Sequence, residues 1–223
     1  MKRWVVLACA ALLAVPLAAQ SVRGRLEGRI PSAAIPAVDS LIQFAAQEGL
    51  PTEPLMQKAL EGGAKHVAGP RIVAAVQVSL GQLRGARDLL VRAGDQPPVL
   101  PAEMTTVAWA LRRGLPAPLV ERVVAGLARP PRAAALHAVA DLVAHRFDPD
   151  SAAGLIIEGA HDGVPRERLL DVSTAVLQQV QRGHTRAEAL AIVRRDLPNL
   201  PAASKPTRGN VAGARRPPSP APP

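Results

Sequence analysis

Cysteine is nearly absent from this chain of 223 residues: the one present is Cys9. It lies inside an apolar run near the amino terminus. Once that run is removed, no thiol remains for disulfide pairing, metal binding or nucleophilic attack. Aromatic side chains are almost as scarce, with no Tyr, two Trp and two Phe. Nucleic-acid interfaces interleave aromatic platforms with their cations, so this scarcity argues against a nucleic-acid partner despite a formal charge of +9.

That charge is also unevenly spread. Lys2 and Arg3 stand at the start, and Lys205, Arg208, Arg215 and Arg216 lie in a tail without acidic residues. Between Ser21 and Leu197, 21 basic residues face all 18 acidic ones, leaving a body of only +3. The familiar catalytic signatures are missing too. There is no Gly-x-Ser-x-Gly elbow, no His-Glu-x-x-His, no Gly-Lys-Ser/Thr phosphate loop and no Gly-x-Gly-x-x-Gly. Nor does any stretch alternate apolar and polar residues long enough to read as a strand.

What is present begins with a leader. Met1-Lys2-Arg3 is followed by the apolar run from Trp4 to Leu17 and a small-residue exit, Ala18-Ala19. This is the layout of a secretory signal peptide over 1–20, cut near Ala19 or Gln20. The run is shorter than the roughly 20 apolar residues of a spanning helix. The expected location is therefore extracytoplasmic: with Arg favoured over Lys and heavy use of Ala and Pro, a bacterial periplasm or secretion beyond it. Three regions follow the leader: an irregular lead-in over 21–30, a helical domain over 31–197, and a Pro- and Arg-rich tail over 198–223. The tail's composition cannot build a core and predicts disorder with polyproline II character.

Within the body, Pro marks helix starts and Gly marks helix ends. The punctuation predicts helices over Pro36–Gly49, Pro54–Gly62, Pro70–Gly94, Pro101–Gly114, Pro118–Ala128, Pro131–Phe147, Pro149–His161 and Pro165–Gly183. A last one starts at Thr185, where Thr185 and Glu188 spell a capping box, and stops at Pro198. Gly49-Leu50-Pro51 and Gly114-Leu115-Pro116 open similar short-helix, longer-helix pairs, and Pro149–Pro165 repeats the pattern without that opening. The fold class is all-α: an irregular array of helical hairpins, solenoid-like or a compact bundle.

Candidate chemistry is thin. His137, Asp141 and His145 recur at four-residue spacing on one side of the sixth helix. Ligands eight residues apart are about 12 Å apart along the axis, so they do not close on one ion, and His161 reaches them only if the fold brings it there. No metal and no cofactor is expected. Glu27, Glu48, Glu61 and Glu158 each precede a Gly, the last three at expected helix ends. Carboxylates there oppose the helix dipole, so they are either solvated or a row available to a cationic ligand or to acid–base work. Gly81 and Gly85 make a thin spot on the third helix.

Trp109 is the residue singled out for binding. Met104, Val107, Ala108 and Leu111 define the inward stripe of its helix, and Trp109 points about 150° away. Arg112 and Arg113 follow at i+3 and i+4, within cation–π reach. An outward Trp beside two Arg has the composition of an interface anchor. The expectation is an exported, non-catalytic binding or scaffold protein whose partner is a protein or envelope polymer, the tail adding weak electrostatic contact with an anionic surface. The rival is an envelope hydrolase whose carboxylates or His residues meet only in the fold.

Overall fold

The computed structural model describes residues 21–129 and 131–199. The expected leader and nearly all of the tail lie outside them. The described residues form ten α-helices and no strand: α1 (Val22–Leu26), α2 (Ile35–Gln47), α3 (Glu53–Ala64), α4 (Gly69–Arg92), α5 (Pro101–Arg112), α6 (Ala117–Gly126), α7 (Arg132–Ala144), α8 (Pro149–His161), α9 (Leu169–Gln181) and α10 (Arg186–Asp196). The chain is all-α, and within the units short turns join packed neighbours such as α3 and α4, α7 and α8, and α9 and α10. None of the described helices is long and apolar enough to cross a membrane. The segment 31–197 holds two compact units, one ending at Trp109 and the other starting at Ala110.

The turns share one device. Seven helices end in a residue with positive φ whose successor returns its N–H to the carbonyl five residues back. Leu50 donates to Ala45 (2.9 Å), Val67 to Gly62 (2.9 Å), Asp95 to Leu90 (3.0 Å) and Leu115 to Ala110 (3.2 Å). Phe147 donates to Leu142 (3.1 Å), Val164 to Gly159 (2.9 Å) and His184 to Gln179 (3.2 Å). These are Schellman caps, which satisfy carbonyls that a helix end leaves without partners. Gly occupies the positive-φ position in five of them, while His66 (φ 53°) and Arg146 (φ 63°) take it in the other two.

The first unit is built around α4. α3 packs along it, α2 crosses both, and the lead-in closes the group. Ile72, Val76, Leu83 and Leu90 recur at helical spacing on α4 and are all buried, as are Val38, Ile42 and Ala45 of α2 and Leu55, Met56 and Ala59 of α3. The lead-in is not irregular throughout. Ser21 caps α1 by accepting from the Gly24 N–H, and Leu26 is wholly buried. A five-residue helix carries no periodicity in sequence, and tertiary contact is what orders it. Helix α3 also runs two residues past Gly62. Gly62 and Gly63 are needed for close approach instead: a Cβ on Gly62 would sit 2.8 Å from Cγ1 of Ile72, and one on Gly63 only 1.9 Å from the carbonyl oxygen of Arg29.

In the second unit α7 is the central helix, packed by α6, α8 and α9, with α10 lying on α8 and α9. Ala135, Leu136, Ala138, Val139, Ala140 and Leu142 are all buried, so α7 is apolar nearly all round. Asp148 and Thr185 cap α8 and α10, the latter through the expected capping box with Glu188.

Two stability measurements check this packing. Leu83→Ala is expected to cost about 2–5 kcal/mol, the range for truncating a fully enclosed leucine, read as a lower urea midpoint. Gly63→Ala is expected to cost about 1–3 kcal/mol, the range for overpacking, and to raise amide exchange selectively in residues 21–30, because the new methyl pushes the Arg29 carbonyl off α3.

Candidate functional site

The residues singled out for binding lie at the end of α5, a helix whose inward stripe is as predicted: Met104, Val107 and Ala108 are buried and Leu111 is half-buried. Trp109 is half-buried, while Arg112 and Arg113 are exposed where α5 meets its Gly114 cap. Trp109 therefore keeps part of its surface accessible to solvent.

Three of the Glu-Gly carboxylates, Glu48, Glu61 and Glu158, are held in ion pairs. Glu48, the C-cap residue of α2, receives both arms of Arg84 from α4: Nε donates to Oε2 (2.8 Å) and Nη2 to Oε1 (2.6 Å). The same guanidinium lies 5.4 Å from the centroid of the Phe44 ring. This contact holds Glu48 below the usual carboxylate range, chiefly through the Arg84 hydrogen bonds, with Arg87 adding charge. Glu158 of α8 accepts from Nε of Arg194 on α10 (2.5 Å). Glu61 lies between Lys65 (2.5 Å) and Lys58 (3.0 Å) of its own segment. These ammonium groups, Lys65 first, pull its pKa down to about 2. Glu53 behaves alike at about 2, held first by Arg25 and then by Gln57. At Glu48, Glu61 and Glu158 a cation offsets the unfavourable helix dipole, and the Arg84–Glu48, Arg194–Glu158 and Arg25–Glu53 pairs join separate helices, whereas Glu61 pairs within its own segment.

The histidines are dispersed in the same way. His137 is exposed, and burial of part of its ring lowers its pKa. His145 turns Nδ1 to the Asp141 carbonyl oxygen (2.9 Å), and Nε2 of His161 meets the Gly126 carbonyl oxygen on α6 (2.9 Å). Among the described residues, no group of three His, Cys, Asp or Glu is placed to hold a metal ion.

Two cavities have definable linings. One of about 400 Å³ in the first unit runs past Arg29, Ile30, Gly63, His66 and Val67. One of about 180 Å³ in the second is lined by His145, Phe147, Leu177, Val180, Gln181 and Arg186. There Arg186 donates Nε to the His145 carbonyl (3.0 Å) and lies 5.8 Å from the Phe147 ring centroid. Neither cavity is lined by Glu48, Glu61, Glu158, His137 or His161, the residues on which an acid–base site would depend. Both Phe–Arg contacts join residues about forty positions apart, and no local pattern in the sequence marks them.

Compared with known proteins, the chain matches no family model, no curated protein and no solved structure.

The Glu61 cluster makes a pH prediction. Its depressed pKa means that its ion pairs support the fold above the ordinary glutamate range, and that this support is lost as pH falls toward about 2. In a carboxylate NMR titration, Lys65→Ala is expected to move the Glu61 pKa upward toward the ordinary value. An unmoved midpoint would show that Lys65 is not the main partner.

Proposed function

We propose that this is an exported, non-catalytic helical binding or scaffold protein of the cell envelope, working in a bacterial periplasm or beyond it. The observation that carries this reading is the end of α5, where exposed Arg112 and Arg113 follow the half-buried Trp109. A ring already held by its own helix loses little freedom on contact, and Trp and Arg are the side chains that dominate interface energetics. The leader sequence supplies the compartment, and the cationic Pro-rich tail supplies a flexible tether toward anionic surface. The ion pairs on Glu48, Glu61 and Glu158 count against the carboxylate form of the hydrolase alternative, and the dispersal of His137 and His161 counts against its His form.

The deciding experiment is a pull-down with the tagged full chain from its own envelope fraction, beside Trp109→Ala. A stoichiometric protein or polymer retained by the native chain and lost at least about tenfold on Trp109→Ala is the expected result, matching the loss of an interface anchor. A partner held equally well by both chains would remove the α5 end from the binding surface. Capture of nothing would overturn the reading.

A further inference from the structure

Among the described residues, the outward side of helix α4 is left exposed. Opposite the buried row of Ile72, Val76, Leu83 and Leu90 lie Arg71, Ala74, Val78, Gly81, Gly85 and Asp88, all exposed. Val78 is 61 % exposed, the most open large apolar side chain of the described residues. A Cβ built on Gly81 or Gly85 would meet nothing within 4 Å. Each glycine inside a helix costs about 1 kcal/mol relative to alanine, and neither adopts a backbone conformation that only glycine reaches. Within the chain these two glycines therefore weaken α4 without a packing return.

The charges on this face say what does fit it. We propose that it is self-complementary and receives α4 of a second copy of this chain in antiparallel register. The register that sets Gly81 against Val78 of the other copy also sets Gly85 against Ala74. It also sets Asp88 against Arg71. Arg71 makes no ion pair among the described residues, while Asp88 touches only its neighbour Arg87, at 3.2 Å. The two residues are 17 positions apart, about 25 Å along a helix. One two-fold axis near the middle of α4 thus closes an Arg71–Asp88 pair at each end. A parallel arrangement would oppose Arg71 to Arg71. Val78 then enters the space left by Gly81, and the absent side chains let the axes come nearer than the usual 8–10 Å. Such an isologous contact closes on itself at two copies.

This pairing does not depend on the α5 binding reading, and the test separates them. Sedimentation velocity of the purified full chain over a range of concentrations is expected to show a monomer–dimer equilibrium. Val78→Arg is expected to raise the dissociation constant at least about tenfold, with helical circular dichroism unchanged. Gly85→Gln improves helix propensity in the monomer and must nevertheless weaken the dimer, which keeps the test valid if Val78→Arg fails to fold. Arg71→Asp and Asp88→Arg should each weaken association, and the doubly exchanged chain should recover it. Trp109→Ala should leave it unaltered. A chain that is monomeric at every concentration, or a dimer indifferent to both Val78→Arg and Gly85→Gln, overturns the proposal.

Discussion

A core made largely of alanine, leucine and valine has to be assembled from helices that lie close together, because each contact buries little area. That constraint governs the rest of the molecule. Closely packed helices must end abruptly so that the next can turn back on the same neighbours. An abrupt end buries carbonyls unless something donates to them. The repeated Schellman cap answers both demands, since it reverses the chain and satisfies the carbonyls with backbone alone. At three of these turns the following residue becomes an anchor: Leu50, Leu115 and Phe147 are buried in that role. Gly62 and Gly63 serve the same need for close approach between elements instead of at their ends.

The electrostatics follow from this geometry. When helices end on carboxylates, as α2 does at Glu48, the dipole penalty has to be met from outside the turn. Arg84 meets it from a neighbouring helix and covers the Phe44 ring at the same time. Arg194 does the same for Glu158. Exposed pairs of this sort contribute little to stability, because solvent screens them and ordering both side chains costs entropy. Their role is to set which helices adjoin rather than to supply most of the stability. Groups committed in this way keep little chemistry in reserve.

Much of this was legible beforehand, for definite reasons. Proline and glycine act on the backbone locally, so α2 to α10 could be placed from sequence to within a few residues. The Thr185–Glu188 box and the Asp148 cap are likewise local, and both are present. The inward stripe of α5 follows from helical periodicity, which sets Trp109 about 150° away from it, although the residue is half-buried. What could not be read involves distance along the chain. Nothing near Glu48 announces Arg84, and nothing near Phe147 announces Arg186. The turn at Gly163-Val164-Pro165 belongs with Gly49-Leu50-Pro51 and Gly114-Leu115-Pro116, and a valine in place of leucine concealed it. Helix α1 was missed because five residues cannot show a period.

The short capped turns have a kinetic consequence. Within each unit most helices reverse direction within a few residues, so many partners in the packed state are near neighbours along the chain. That is a low contact order, and chains of this topology fold in about microseconds to milliseconds, since little loop entropy is lost before native contacts form. A hairpin such as α3–α4 closes without waiting for the remainder of the polypeptide, so structure can accumulate from one end as the chain emerges.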